Sequence, residues 1–175
     1  MQAPIEQGNR VAIGCDSMTT YLRPLADEEL RAWMIDERED YVNHRVRAGE
    51  RPEEARRIAD EQHATLFPGG RPAPGHRLFR LMEDDEPVGW LWIGPRTPDH
   101  PEDCWVWDVV VDEPHRGRGL GRAAMLLAEE EARASGAGEI GLNVFGCNTV
   151  ARRLYESLGY ETVSMQMRKQ LSAQG

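Results

Sequence analysis

The apolar positions of this 175-residue chain follow two rhythms. Leu30, Trp33, Met34 and Tyr41 recur near helical spacing behind Asp27, which is placed to cap them, and Pro52 opens a second helical stretch that stops at Phe67-Pro68-Gly69-Gly70. Residues 119–135 form the clearest helical pattern. Leu120, Ala124, Leu127 and Ala128 share one face, Glu129, Glu130 and Glu131 read as its solvated side, and Gly136 and Gly138 end it. Asn148 caps a fourth helix through Val150, Ala151, Leu154, Tyr155 and Leu158, which closes at Gly159 in a left-handed turn. Strand rhythm marks 21–25, closed by Pro24, and the runs 77–82 and 88–93 around an acidic turn, which read as a hairpin. The strongest strand is 104–111, followed by 140–144 and a last strand or pair of strands over 160–170. The order β-α-α-β-β-β-α-β-α-β(-β), with two β-α units near the end, predicts an α/β fold with a partly parallel sheet covered by helices. Residues 1–17 show little periodicity and read as a flexible lead-in, leaving one domain over 18–175.

Composition narrows the function classes. Apolar residues make up 40% and charged residues 29%, enough apolar content for a real core. Thirty acidic against 21 basic side chains give a net charge of -9, which disfavours nonspecific binding of nucleic acid. Cys15, Cys104 and Cys147 lie far apart with no CxxC pair and no histidine at ligand spacing, so no disulfide framework and no metal site is signalled. Reduced thiols in a cytoplasmic protein are the expectation, and the sequence has neither a signal peptide nor 18 consecutive apolar residues to span a membrane. Lys169 is the sole lysine among the 21 basic residues, a bias of GC-rich bacterial genomes.

The chemistry concentrates where the strand 104–111 feeds Arg116-Gly117-Arg118-Gly119-Leu120-Gly121-Arg122. Glycines admit a ligand close to the backbone, the first N–H groups of the following helix attract anions, and three arginines add a local charge against the bulk sign. Such loops also serve as plain strand-to-helix connections, so the loop alone does not decide. A P-loop is excluded, because no Lys-Ser or Lys-Thr occurs. Gly119-Leu120-Gly121-Arg122-Ala123-Ala124 matches GxGxxA in letters, but the connection from Val111 is too long for the tight turn of a dinucleotide site.

Arg116-Gly117-Arg118-Gly119-Leu120-Gly121 resembles the [RQ]xxGx[GA] acyl-CoA loop of the GNAT superfamily of N-acetyltransferases. Asn148, Ala151 and Leu154-Tyr155-Glu156-Ser157-Leu158-Gly159-Tyr160 are similar to that superfamily's second signature, and the predicted element order agrees from about residue 20 onward. The resemblance implies a mixed, mostly antiparallel sheet whose fourth and fifth strands splay apart to admit the pantetheine arm of acetyl-CoA. It implies that backbone groups of Val109, Val110 and Val111 pair with that arm, that N–H groups of Arg116, Gly117, Arg118, Gly119, Leu120, Gly121 and Arg122 hold the diphosphate, and that Asn143, Asn148, Ala151 and Leu154 line the other wall. Tyr155 is implied as the hydrogen-bond or proton donor to the leaving thiolate. Members often dimerise, and nothing in this sequence decides it.

The reaction implied is direct transfer of acetyl from acetyl-CoA to a primary amine, which must be neutral to attack and so needs a base or a water chain. Positions where relatives carry a glutamate hold Asn143 and Trp105 here. Asp108 is the nearest carboxylate, on the strand face opposite Val109 and Val111, and is either the base or a structural acceptor. From 27 to 61 twelve acidic face seven basic residues, a net of -5 that favours a cationic amine if it lines the cleft and is otherwise a solvated helix face. Cys147 reads as a passive thiol and His115 as a loop residue. An acyl-CoA-binding module without turnover, or a dinucleotide-binding oxidoreductase, is the alternative.

Overall fold

The computed structural model describes residues 10–13, 18–100, 102–167 and 169. Two compact units divide the chain, Met1–Asn143 and Val144–Gly175, where the sequence pattern predicts one domain. The first holds β1 (Arg10–Ile13), β2 (Met18–Pro24), α1 (Asp27–Arg47), α2 (Pro52–Leu66), β3 (Arg77–Glu83), β4 (Glu86–Pro95), β5 (Asp103–Val111), α3 (Leu120–Ala134) and β6 (Glu139–Leu142), and the second holds α4 (Thr149–Ser157). The six strands form one sheet in chain order. Neighbours run antiparallel except β5 and β6, which are parallel, so the fourth and fifth strands of the sequence pattern are β5 and β6 here.

The extra strand corrects the N-terminal expectation. Arg10–Ile13 is laddered to Met18, Thr19, Thr20 and Tyr21 of β2, so this part of the predicted lead-in belongs to the sheet. A short edge strand owes its order to its neighbour's backbone rather than to its own periodicity. The final strand expected over 160–170 is absent over 160–167, where Val163, Met165 and Met167 are exposed; alternation alone makes no strand without a ladder partner.

Helix boundaries follow from capping. Ala26, not Asp27, is the N-cap of α1, and its N–H donates to Glu29 Oε2 at 2.9 Å. Arg23 grips the same carboxylate through both terminal nitrogens, at 2.9 and 2.8 Å, and its guanidinium holds Glu29 down at about 2. Asp27, Glu28 and Glu29 in the first turn and His44, Arg45 and Arg47 in the last complement the α1 dipole.

The two sheet faces bury different helices. Trp33 and Met34 of α1, Leu66 of α2 and Phe67 pack on Leu78 and Trp92, with Trp90 and Trp107 partly buried against them. On the other face α3 covers the sheet with Leu120, Ala123, Ala124, Leu127 and Ala128, at spacings of three and four, all fully or nearly fully buried. The Glu129-Glu130-Glu131 run is not a solvated face. Glu131 Oε2 accepts from Arg77 Nη1 at 2.7 Å and its carbonyl from Arg77 Nη2 at 2.9 Å, tying α3 to β3.

Candidate functional site

Strand β5 diverges from β6 partway along. The parallel ladder pairs Asp103 with Glu139 through Val106 with Leu142 and stops there, whereas β5 continues to Val111. Over that last stretch Val109, Val110 and Val111 pair with Leu91, Trp90 and Gly89 of β4. No strand among the described residues is laddered to their other edge, so alternate backbone N–H and C=O groups there face a gap. Asn143, which the sequence pattern places in the fifth strand, lies just past the end of β6.

The chain leaves Val111 through a single 3-10 turn at Glu113–His115 and enters α3 over Gly117 and Gly119, both in the left-handed region (φ 78° and 85°). Gly119 is the N-cap of α3, and a side chain there would be strained in a conformation that L-residues avoid. The loop therefore delivers its last N–H groups and the α3 N-terminus beside the open edge of β5. This is not the tight turn of a dinucleotide fingerprint.

Arg116 and Arg118 both turn back onto the protein. Arg116 Nε donates to the Val111 carbonyl at 3.0 Å, folding the side chain back on the end of β5. Arg118 Nη2 donates to Glu83 Oε2 at 2.6 Å and Nη1 to His115 Nδ1 at 3.3 Å. A threefold positive cradle, as charge counting along the sequence suggests, is thus reduced, because buried Glu83 neutralises one member.

On the opposite side of the sheet, β5 carries a bulge. Trp92 pairs with Asp108 and Ile93 with Val106, which leaves Trp107 as the extra residue. Opposite residues share a face, so Val106 and Cys104 join the α3 side while Asp108 and Val110 lie with Trp92 and Trp90 on the α1 side. Asp108 is therefore opposite Val109 and Val111, as alternation predicts. Trp107 stacks on Trp92, centroids 5.3 Å apart at 24°, lies 5.4 Å from His76, and donates from Nε1 to the Pro95 carbonyl at 3.3 Å.

Carboxylates of α1 meet this wall. Desolvation pushes Glu37 up to about 7, and the negative charges of Asp108 and Asp40 push the same way. Desolvation also raises Asp108 to about 6; the Val109 N–H, which hydrogen-bonds its charged form, opposes this, and Asp40 adds to it. Glu37 additionally lines a small cleft with Arg38, Tyr41, Gln62, His63 and Phe67. Sequence reasoning missed Glu37, although a signal exists: Trp33, Glu37, Asp40 and Tyr41 are spaced i, i+4, i+7 and i+8, so the buried Trp33 marks the face on which the carboxylates lie. A carboxyl raised from 4.5 to about 7 binds its proton better folded than unfolded, so its contribution to stability is full below pH 4.5 and is lost as pH rises toward 7. Glu37→Gln is accordingly expected to stabilise the folded chain at pH 8 by on the order of 2 kcal/mol relative to the parent, read as a higher melting midpoint, and to change it little at pH 4. Calorimetry at the two pH values measures the difference.

In the second unit Asn148 Oδ1 accepts from the Ala151 N–H at 3.2 Å, which caps α4 as its position predicts. Gly159 (φ 91°) turns the chain so that the Tyr160 N–H donates to the Tyr155 carbonyl at 3.0 Å, with the two rings 5.8 Å apart. Ala151, Leu154 and Tyr155 are half-buried. Cys147 is exposed, and burial pushes the Cys104 thiol up, away from the thiolate form; Cys15 lies outside the described residues. Among the described residues no group of three or more His, Cys, Asp or Glu could hold a metal ion, and no helix is long and apolar enough to cross a membrane.

An open strand edge running into a glycine loop and helix N-terminus, on a sheet of this topology, defines an acetyl-CoA-dependent N-acetyltransferase. The chain matches the acetyltransferase (GNAT) family over residues 26–160 and belongs to it. It is 34% identical over 157 residues to the N-acetyltransferase YycN of Bacillus subtilis, covering 88% of this chain and 100% of that protein. The crystal structure of YycN superposes with a TM-score of 0.75 at 32% identity, over 87% of this chain and 98% of the other. Mycothiol acetyltransferase of Rhodococcus erythropolis is 36% identical over 95 residues, 51% of this chain and 32% of that protein. Aminoglycoside N-acetyltransferase AAC(6')-Iy in complex with CoA shares the fold (TM-score 0.53, 14% identity, 92% and 100% covered). The co-substrate is acetyl-CoA.

Proposed function

We propose that residues 18–175, together with the edge strand Arg10–Ile13, act as one cytoplasmic acetyltransferase domain whose acceptor is a cationic primary amine, bound on the α1 side of β5 and deprotonated through Asp108 and Glu37. The convergence of Asp108 with two carboxylates of α1, beside a wall of Trp92 and Trp107, carries this reading. Desolvated carboxylates attract an ammonium group far more strongly than exposed ones do, and indole faces suit a cation or an apolar flank.

The open edge and the loop fit an acyl-CoA. Backbone groups of Val109, Val110 and Val111 that point away from β4 would pair with the pantetheine arm, and the N–H groups from Gly117 to Arg122 would meet the diphosphate. Acetyl-CoA supplies the activated acetyl group as its thioester. The protein's part is to hold the amine, accept its proton at an Asp108 or Glu37 oxygen, and present the Tyr155 hydroxyl as a donor to the departing sulfur. A phenol near 10 gives its proton uphill to a thiolate whose acid is near 8.5, so hydrogen bonding carries much of that role.

The charge of Asp108 adds to the raising of Glu37, and that of Asp40 adds to the raising of both, while Arg38 and His63 line the adjoining cleft with Glu37. Both carboxyls must be ionised to hold and deprotonate the ammonium. Hence kcat/KM for the amine is expected to rise as pH increases through about 6 to 7, and Asp108→Asn is expected to flatten that limb and to lower kcat/KM at pH 8 by about 10²-fold. A panel of amines assayed by release of free CoA thiol tests the reading; a pH-independent kcat/KM between pH 5 and 8 would overturn the carboxylate base.

A further inference from the structure

One arginine of the loop, Arg118, is held from behind. Glu83, the last residue of β3, is 7% exposed at its side chain, and its Oε2 accepts from Arg118 Nη2 at 2.6 Å across 35 residues of sequence. Arg118 Nη1 also lies 3.3 Å from His115 Nδ1, and the same ring's Nε2 is 3.8 Å from Glu86 Oε1. Glu83 and Glu86 are paired residues flanking the turn between β3 and β4. Two side chains of the glycine loop, at positions 115 and 118, therefore reach the same hairpin turn.

We infer that Glu83 and Arg118 are positioning residues that clamp the diphosphate loop to the β3–β4 turn, so that the backbone N–H groups from Gly117 to Arg122 are already aimed before acetyl-CoA arrives. Gly117 and Gly119 give the loop access to conformations it must not sample if those donors are to converge, and loops with this freedom lose entropy on binding. Glu83 is buried while Arg118 is 41% exposed at its side chain, so the pair ties the outer loop to a carboxylate fixed beneath it. The ion pair thus does with side chains what the glycines forgo with backbone, and the contribution of Arg118 to affinity runs through Glu83. This rests on the acetyl-CoA site described above.

Isothermal titration of the full chain with acetyl-CoA, and with S-acetylpantetheine, which has the thioester arm and no diphosphate, tests the clamp. Glu83→Gln is expected to weaken acetyl-CoA about five- to twentyfold while leaving S-acetylpantetheine within twofold. Arg118→Gln should match it, the double variant should be no weaker than either single variant, and Arg118→Lys should recover most of the affinity. If Arg118→Gln weakens acetyl-CoA and Glu83→Gln does not, Arg118 meets the ligand on its own and the inference is overturned. Equal loss for both ligands overturns it too, as general damage. Should Glu83→Gln not fold, hydrogen exchange on Arg118→Gln decides: amides of 116–119 exchange at least tenfold faster with β4 unchanged, or the clamp is wrong. Failure of the parent chain to bind acetyl-CoA overturns the site and the clamp together, whereas binding by the parent and equal binding by Glu83→Gln overturns the clamp alone.

Discussion

Tyr155→Phe is expected to lower kcat about 10²-fold while the KM for acetyl-CoA stays within threefold and the melting midpoint within about 2 °C. The substitution removes one oxygen and keeps the ring. Packing against Tyr160 at 5.8 Å, the Gly159 turn and the Tyr160 N–H bond to the Tyr155 carbonyl all survive it, since none uses the hydroxyl. What disappears is the donor proposed for the sulfur that leaves with the electron pair of the broken thioester bond. Because that donor is needed when charge develops and not when the thioester binds, the loss belongs in kcat rather than KM. Steady-state kinetics with acetyl-CoA varied at saturating amine measures both. A kcat within threefold of the parent would mean that water or another group protonates the thiol.

The second large effect is structural. At Gly89, where β4 pairs with the end of β5, an added Cβ would sit 2.0 Å from the Val110 carbonyl oxygen and 3.1 Å from the Val111 Cα. Both neighbours are backbone, so no rotamer change relieves the clash, and β5 must move away from β4, toward the gap at its other edge that is proposed to receive the pantetheine arm. Gly89→Ala is expected to destabilise the chain by about 3 kcal/mol, a fall of roughly 6–12 °C in melting midpoint for a chain of this size, and to weaken acetyl-CoA at least tenfold. Gly138→Ala is the control: nothing lies within 4 Å of its added Cβ, and the change should stay within about 0.5 kcal/mol. Thermal melting of both variants, with and without acetyl-CoA, separates the strand pairing from the nonspecific cost of losing a glycine.

The two predictions rest on features of different visibility. Tyr155 stands in a helix whose cap, Asn148, and terminator, Gly159, are both local signals, and both behave as local chemistry requires. The clash at Gly89 is invisible along the chain, because Val110 lies 21 positions away and meets it only through the β4–β5 register.

The sequence by itself determined the parts whose causes are short-range. Strand β5, the left-handed glycines of the loop, the apolar stripe of α3 and the capped α4 each follow from residues within a few positions of one another, and the two motifs they carry identify the acetyl-CoA chemistry. Tertiary structure decided everything that depends on a partner distant in sequence. Arg10–Ile13 becomes a strand because β2 offers a ladder, and the Trp107 bulge fixes which residues of β5 face each helix layer. Glu37 becomes a titrating group near neutrality only where folding desolvates it near the charges of Asp108 and Asp40. Arg118, one of the three arginines whose charge the sequence turns toward a ligand, is redirected by a buried carboxylate 35 positions upstream. Periodicity and capping are local free-energy terms that a sequence displays; pairing, desolvation and charge neutralisation are properties of neighbours that only folding brings together.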